Sequence, residues 1–212
     1  MIGIVHSPVN KQVINNHMIP RLIIFDFDGT IADCCGLHQH AFRVAFETLL
    51  PGETYDERSL EGLPTTEKMR RLSSTGHVFD HTEFNRIKQH LTLTNLKDYI
   101  GVNPELNRQL KRLSEICPLA LCTNATAPFI YQSLEIMRCR QFFGTINTAT
   151  TFPAKPDPYT FVDAMNSVGA NHTNTIIFED SPVGLECARK VCHQVIPVTD
   201  VADTLEKMKE IK

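Results

Sequence analysis

Hydrophobic residues along this chain gather into short continuous runs, and segments with helical spacing of apolar positions lie between and after them. Four runs have the length of a strand: Leu22–Phe25, Leu119–Cys122, Ile176–Phe178 and Val195–Val198. Continuous rather than alternating runs are typical of parallel strands that are covered on both faces. The pattern therefore predicts a parallel sheet in the interior.

Three residue pairs predict where helices begin between and after these strands. Asn103-Pro104, Asp157-Pro158 and Ser181-Pro182 each combine an N-cap residue with a proline at the first helical position. Alternation of strand, loop and helix is typical of a doubly wound sheet. The predicted fold class is therefore α/β, with a Rossmann-like parallel sheet as its core.

The interval between the first and second runs departs from this alternation. Gly36–Leu50 has broad helical periodicity, residues 65–74 and 82–98 also have helical patterns, and no convincing strand run lies among them. We expect a helical insertion above the carboxyl edge of the sheet, where open α/β sheets bind ligands. The predicted organisation is a tail at 1–18, an α/β core formed by 19–33 and 103–212, and an α-helical cap at 34–102.

Composition and charge limit the possible partners and locations. The chain has 212 residues, 42% hydrophobic and 21% charged, which is ordinary for a soluble globular protein. A net charge of −3 gives no support for a nucleic-acid or anionic-membrane partner. No apolar stretch approaches the ~20 residues that span a bilayer, and no export signal is evident at the N-terminus. We expect a cytoplasmic protein; the sequence does not indicate its oligomeric state.

The cysteines and histidines do not indicate a metal site or a disulfide framework. The cysteines are seven, an odd number, and contain no C-x-x-C pair. We expect reduced, mostly buried thiols. His38 and His40 have no further ligands at zinc spacing, so we expect no histidine metal site.

Polar residues cluster where the predicted strands end. They are Asp26 and Asp28 in FDFDGT after the first run, Thr123 and Asn124 after the second, Glu179 and Asp180 after the third, and Lys155 before a predicted helix. Two carboxylates about 4 Å apart repel by about 4 kcal/mol at an effective dielectric constant near 20. Four acidic groups beside one lysine are unfavourable unless a cation also binds. A site rich in carboxylates and without cysteine or histidine suits Mg²⁺, which in turn attracts phosphate.

These four stretches resemble the four motifs of the haloacid dehalogenase-like superfamily, in the same order and with matching spacing from Pro20 to the C-terminus. Asp33, His38 and Gly184 match further positions of the pattern. The helical insertion resembles the small cap of the subfamily that contains phosphoglycolate phosphatase and β-phosphoglucomutase. One position departs from the pattern, because Cys34 stands where close relatives usually have serine or threonine.

The resemblance implies a catalytic role for each acidic residue. Asp26 would be the nucleophile that attacks phosphorus, and Asp28 would protonate the leaving oxygen and then deprotonate water. Mg²⁺ would be held by Asp26, the main-chain carbonyl of Asp28 and Asp180. Glu179 would help as a ligand or through bound water. Lys155 would offset negative charge on the nucleophile and the phosphate.

The resemblance also implies residues that bind substrate. Thr123 and Asn124 would donate hydrogen bonds to phosphoryl oxygens, while Gly29 and Thr30 would form a turn close to the phosphate. The segment from Gly62 to Lys68 resembles the substrate loop of the cap, and we expect Gly62 and Lys68 to contact substrate. Arg70 and Arg71 are further candidates, although a solvated charged face explains any one of these side chains as well.

The second aspartate distinguishes among reactions of the superfamily. Its dehalogenases lack this residue, its phosphonate-cleaving members replace it, and its transport ATPases have lysine there, so Asp28 indicates phosphate esters. We predict a Mg²⁺-dependent phosphatase that hydrolyses a small phosphorylated metabolite, such as a sugar phosphate or a phosphoglycolate-like ester. A phosphomutase of the β-phosphoglucomutase type shares all of these motifs, and a non-catalytic binding or regulatory relative is a third hypothesis.

Overall fold

The computed structural model describes residues 19–60 and 63–212. The predicted tail at 1–18 lies outside the described residues. Five strands are present in the described part of the chain: β1 Leu22–Phe25, β2 Leu119–Thr123, β3 Phe143–Thr148, β4 Thr175–Glu179 and β5 Gln194–Pro197. They form one parallel sheet in the order β3-β2-β1-β4-β5. The predicted α/β class and parallel sheet are therefore confirmed.

The strands deviate from the sequence prediction in two places. The bounds of β1 agree with the prediction, and the predicted runs of β2 and β4 lie inside the observed strands, whereas β5 begins and ends one residue earlier than expected. The edge strand β3 was not predicted, because its sequence FGTINT is largely polar and part of it is exposed. A strand with only one neighbour needs no continuous apolar run.

Nine α-helices are present in the described residues: α1 Cys35–Leu49, α2 Glu57–Leu60, α3 Thr65–Ser74, α4 His81–Tyr99, α5 Pro104–Ser114, α6 Ala127–Met137, α7 Tyr159–Ser167, α8 Pro182–Arg189 and α9 Val201–Glu210. The starts of α5 and α8 are confirmed, since Asn103 Oδ1 accepts from Leu106 N at 3.1 Å and Ser181 Oγ accepts from Gly184 N at 3.0 Å. Helix α7 begins one residue later than predicted, with Pro158 at its N-cap.

Alternate side chains of β1 enter two separate hydrophobic clusters, one on each face of the sheet. Ile23 and Phe25 pack on the face with α5 and α6, while Leu22 and Ile24 pack on the face with α7 and α8. All four side chains are buried. This double burial explains the continuous apolar run, and it fixes the C-terminal end of β1 at the centre of the carboxyl edge.

A third hydrophobic cluster lies among α1, α3 and α4, away from the sheet, and is built around Phe42, Phe46 and Phe84. The three long helices predicted between the first two strands are present, the short α2 was not predicted, and no strand lies in the described residues of that interval. The cap as a separate domain stays a prediction. None of the helices in the described segments is long and apolar enough to cross a membrane.

Candidate active site

The carboxyl edge of the sheet brings together the acidic residues at the ends of β1 and β4. Strands β1 and β4 are hydrogen-bonded neighbours, and Asp26 N donates to Phe178 O at 3.0 Å. Strands β2 and β3, which follow β1 in sequence, lie on one side of it, and β4 and β5 lie on the other side. The edge beside β1 is thus a topological switch point, where such sheets bind ligands.

Lys155 joins the two motif carboxylates that are most deeply buried. Its Nζ donates to Asp26 Oδ1 at 2.5 Å and to Glu179 Oε2 at 2.6 Å. The side chains are nearly inaccessible, with 3% of Lys155, 10% of Asp26 and 1% of Glu179 exposed. Because all three are shielded from water, their attraction is stronger than that of a surface pair, and so is the cost of removing one partner.

One lysine does not balance the charges around it. Burial raises the pKa of Asp26 well above its ordinary value; the charge of Lys155 opposes this shift, and Glu179 adds to it. Burial on its own would lower the pKa of Lys155, but the charges of Asp26 and Glu179 outweigh it and raise the pKa instead. Lys155 is therefore a cation at neutral pH, and a further positive charge would stabilise the ionised carboxylates around it.

Asp180 completes a group of three carboxylates that can converge on one metal ion. Oxygens of Asp26, Glu179 and Asp180 lie within 4.8 Å of one another. Burial and then the charge of Glu179 raise the pKa of Asp180 to about 6, and Thr30 Oγ1 donates to its Oδ1 at 3.4 Å. The ligand atoms that these three carboxylates offer are all oxygens, which Mg²⁺ prefers, so the residues present fit that ion.

Glu179 has both carboxylate oxygens occupied by neighbouring groups. Its Oε2 accepts from Lys155, while Oε1 accepts from Ser181 N at 3.2 Å and from Ser181 Oγ at 2.9 Å. Gly184 on α8 packs against it so closely that a Cβ there would lie 2.1 Å from Glu179 Cδ. These contacts show how Glu179 positions Lys155; whether it also contacts a metal stays a prediction.

Asp28 lies at the border between the sheet edge and the helices above it. Its side chain is 36% exposed, and its Oδ2 is 3.4 Å from His38 Nε2 on α1. Its Oδ1 is buried, and no hydrogen bond of good geometry reaches it from the described residues. The Cys34 thiol is also close, since burial and then the charge of Asp28 raise its pKa. The sequence placed His38 in the predicted helix Gly36–Leu50 but did not indicate its contact with Asp28.

The two residues after β2 form different contacts. Thr123 is buried and its Oγ1 accepts from Ala125 N at 3.1 Å, while its own O–H can still donate. The Asn124 amide pairs with the backbone of Lys155: Oδ1 accepts from Lys155 N at 2.7 Å, and Nδ2 donates to Lys155 O at 3.2 Å. Asn124 thus positions Lys155, and a contact of either residue with phosphate stays a prediction.

Gly29 occupies a position that excludes a larger residue for two reasons. Its φ is +78°, a left-handed conformation that disfavours side chains. A Cβ there would also lie only 2.2 Å from Asp180 Oδ2. Thr30 is fully buried next to it. The turn after β1 therefore fits directly against the carboxylate at the end of β4.

The predicted substrate residues of the helical insertion are only partly described. Gly62 lies outside the described residues. Lys68 on α3 is half-buried, and its Nζ is 5.2 Å from the centre of the Phe42 ring. Arg70 pairs with Glu67 at 2.7 Å and Arg71 with the same carboxylate at 3.3 Å, both in exposed positions. The two arginines thus match the solvated-face interpretation.

Comparison with known proteins identifies the family of this chain. The family model of haloacid dehalogenase-like hydrolases matches residues 23–210. This chain belongs to that family. The match includes every motif residue at the carboxyl edge of the sheet, from Asp26 to Asp180. Membership confirms the predicted family and the prediction that the chain is an enzyme of the hydrolase class.

Named relatives agree with this assignment. Validoxylamine A 7'-phosphate phosphatase of Streptomyces hygroscopicus subsp. limoneus is 26% identical over 180 residues, which cover 80% of this chain and 81% of that protein. Fructose-1-phosphate phosphatase of Escherichia coli K12 is 26% identical over 172 residues, covering 79% and 90%. The crystal structure of β-phosphoglucomutase from Clostridium difficile superposes with a TM-score of 0.66 at 23% identity, covering 90% and 98%. The last likeness shows the shared fold.

Proposed function

We propose that this haloacid dehalogenase-like hydrolase is a Mg²⁺-dependent phosphatase that cleaves a small phosphate ester through a phosphorylated Asp26. The observation that carries the proposal is the buried contact of Lys155 Nζ with Asp26 Oδ1 and Glu179 Oε2, beside the oxygens of Asp180. This arrangement fixes the Asp26 carboxylate at the end of β1, and its negative charges outnumber the single positive charge of Lys155. Phosphoryl transfer asks mainly for such positioning and charge balance.

Asp26, the main-chain carbonyl of Asp28 and Asp180 would hold the Mg²⁺, with Glu179 as a further ligand or as a partner through water. When bound, the ion neutralises carboxylate charge and polarises the phosphoryl oxygens. These ligands come from the ends of β1 and β4, which are adjacent in the sheet.

The chain's own residues divide the reaction into two steps. A carboxylate oxygen of Asp26 forms a bond to phosphorus as the ester oxygen leaves, and Asp28 gives that oxygen a proton. Asp28 then takes a proton from water as the water oxygen attacks phosphorus, which releases phosphate and restores the Asp26 carboxylate. Lys155 holds Asp26 in position throughout, and Asn124 fixes the backbone of Lys155.

The relatives support the substrate class in this proposal. The Streptomyces and Escherichia proteins are named as phosphatases of validoxylamine A 7'-phosphate and of fructose 1-phosphate, and further relatives are named as phosphoglycolate phosphatases. A small phosphorylated metabolite is therefore the substrate class that we propose for this chain.

A phosphate-release screen over small esters, run with Mg²⁺ and with excess EDTA, tests the proposal. The expected result is phosphate release from at least one ester, lost with EDTA and lost in Asp26→Asn. The matched control is Asp98→Asn on α4, an exposed aspartate outside the site, which should behave as wild type. Release that persists in Asp26→Asn would remove the proposed nucleophile. Conversion of a sugar phosphate to its isomer without free phosphate would favour the phosphomutase.

A further inference from the structure

Two histidines meet at the amino edge of the sheet, opposite the candidate active site. His172 lies in the loop between α7 and β4, and His193 directly precedes β5. Because β4 and β5 are parallel neighbours, the segments that lead into them lie at the same edge. Strand β4 spans about 13 Å from Thr175 to Glu179, at about 3.3 Å per residue, so this edge is remote from the acidic cluster.

The two imidazole rings lie against each other, and their nitrogens are not engaged elsewhere. The ring centres are 4.7 Å apart, the ring planes are inclined at 71°, and both residues are exposed. Neither ring has a hydrogen-bond partner among the described residues. The rings of His38, His77 and His81, in contrast, each contact a polar group of another residue. The ring nitrogens of His172 and His193 are therefore available to a ligand.

The separation of these rings fits coordination of one metal ion by both. A zinc ion that lies about 2.0–2.1 Å from an imidazole nitrogen is about 3.2 Å from the centre of that ring. Two such rings at an N–metal–N angle of about 90–110° have their centres about 4.5–5.2 Å apart. The observed 4.7 Å lies within this range. Imidazole suits Zn²⁺, Ni²⁺ and Cu²⁺, whereas Mg²⁺ prefers oxygen, so this pair and the acidic cluster select different ions.

Hydrogen bonds fix the backbone at both histidines. His193 N donates to His172 O at 3.0 Å, which joins the two segments directly. Asn171 Oδ1 accepts from Thr173 N at 2.9 Å, and Asn174 Oδ1 accepts from Asn171 N at 2.8 Å, so the loop that carries His172 is closed on itself. Since the two rings are already adjacent, a metal ion bound by both would order little further chain.

We propose that His172 and His193 together bind one divalent transition-metal ion of the Zn²⁺, Ni²⁺ and Cu²⁺ class, with water completing its coordination. The ion links the α7–β4 loop to the segment before β5 and stabilises the folded chain, because the unfolded chain does not hold the two rings together. Lys190 lines the same groove as His172, but its ammonium pairs with Glu186 at 2.9 Å, which limits its repulsion of a cation. The sequence predicted no histidine metal site, because ligand spacing along the chain does not reveal a pair that strand pairing creates.

Two simpler interpretations of the pair predict different outcomes. If the rings only pack edge to face, phenylalanine at either position keeps the contact and no metal ion changes the stability. If each exposed histidine binds metal independently, removal of one leaves the affinity of the other unchanged. A shared site predicts one ion for the pair, and loss of that ion when either histidine is replaced.

The experiment uses Ni²⁺ as the probe and the full chain in excess Mg²⁺, which occupies the acidic cluster. Titration calorimetry gives the Kd and the number of ions bound, and thermal unfolding gives the Tm with and without Ni²⁺. We expect Ni²⁺ at 100 times its Kd to raise the Tm of wild type by roughly 5–10 °C, as for a ligand that binds only the folded state of a chain of this length.

Substitutions then assign the binding to the pair. His172→Phe and His193→Phe each keep an aromatic ring and remove one ligand. Each should weaken Ni²⁺ binding at least about tenfold and abolish the rise in Tm, since even a group that only orients a ligand contributes about 10- to 100-fold. The double variant should bind no more weakly than either single variant. His90→Phe, at an exposed position on α4, is the matched control and should keep the wild-type Kd and Tm rise.

A measurement on wild type needs no variant to fold. In NMR spectra, less than one equivalent of Ni²⁺ should broaden the ring C–H signals of His172 and His193 together, before that of His90. Broadening of only one of the pair, no rise in Tm, or a Kd that either phenylalanine variant retains would each overturn the shared site. None of these readouts uses phosphate release, so failure of the metal site and failure of the proposed phosphatase are distinguishable.

Discussion

The charges at the carboxyl edge of the sheet and the charges on the helices above it are arranged in opposite ways. At the edge, Lys155 is buried between two carboxylates that hold it at 2.5 and 2.6 Å. On the helices, burial and then the positive charge of Lys68 lower the pKa of half-buried Lys88 to about 8. The edge thus pairs its buried cation with carboxylates, whereas the helices place a cation where burial and a second cation both disfavour its charge.

The largest expected effect concerns Asp28, which lies between the two regions. Asp28→Asn should lower kcat for an alkyl phosphate by about 100- to 10,000-fold, because the leaving alkoxide then receives no proton from the enzyme. Asp28→Asn should lower the rate constant for phosphorylation of Asp26 much less when the ester is p-nitrophenyl phosphate, because its leaving group is stable as an anion. Pre-steady-state kinetics with both esters measure this difference.

Equal losses in the phosphorylation step for the two esters would show that Asp28 does not act as a general acid. Asp98→Asn again provides the control for a change of charge away from the site.

The next effect tests the buried pairs at the sheet edge. Lys155→Met leaves Asp26 and Glu179 buried without their cation, and we expect a loss of about 3 kcal/mol in the free energy of unfolding at pH 8 in EDTA. Burial already raises the pKa of Asp26, and loss of the Lys155 charge removes the effect that opposes this shift. Protonation relieves the repulsion between Asp26 and Glu179, so the loss should shrink as the pH falls and grow as it rises. Urea denaturation across this pH range measures it.

Lys190→Met serves as the control, because the Lys190–Glu186 pair is exposed and should contribute nothing measurable. A loss for Lys155→Met that does not depend on pH would contradict the role assigned to its charge and would indicate a packing defect.

A smaller effect separates backbone strain from the collision at Gly29. Gly29→Ala introduces strain of about 1 kcal/mol and also pushes Asp180 aside, so we expect about tenfold weaker activation by Mg²⁺. Gly52→Ala is matched in backbone, with φ +83° against +78°, but its Cβ would have nothing within 4 Å. Gly52→Ala should be destabilised by a similar amount but should need no more Mg²⁺ for activity than wild type. If the Mg²⁺ concentration that gives half-maximal activity were the same for the two variants, the contact of Gly29 with Asp180 would be contradicted.

The smallest effect concerns the two cysteines where the chain passes from the edge to the helices. Cys34 is buried and its thiol pKa is raised by burial and by Asp28, whereas Cys35 is exposed. Since the thiolate is the reactive form, iodoacetamide should label Cys35 and leave Cys34 unmodified in the folded protein. Peptide mass spectrometry gives the result, with urea-unfolded protein as the control. Labelling of Cys34 at the rate of Cys35 would contradict the described burial.

These two regions also differ in how far the sequence predicts them. The apolar run of β1 and the helix starts at Asn103 and Ser181 were predictable, because burial on both faces and N-capping each restrict residue type locally. The edge strand β3 was missed because one neighbouring strand does not require an apolar run. The prediction of mostly buried thiols is confirmed, since six of the seven cysteines are buried and Cys35 is exposed.

The candidate site shows the same division. Asp26, Lys155 and Asp180 could be found because each follows or adjoins a recognisable strand or helix. The contact of His38 with Asp28 was missed, since it depends on how α1 packs against the turn that follows β1. No sequence pattern reports which side chain of the helical insertion lies against Asp28.

The proposed function depends on phosphorylation of Asp26 during turnover. Protein mixed with a hydrolysed ester and Mg²⁺, then quenched in acid, should carry an acyl phosphate that borohydride reduces to homoserine. Tandem mass spectrometry of the peptide Leu22–Arg43, which contains both Asp26 and Asp28, locates the modified residue. We predict homoserine at position 26, and none without Mg²⁺. Homoserine at position 28, or none at either position while phosphate is released, would contradict the account.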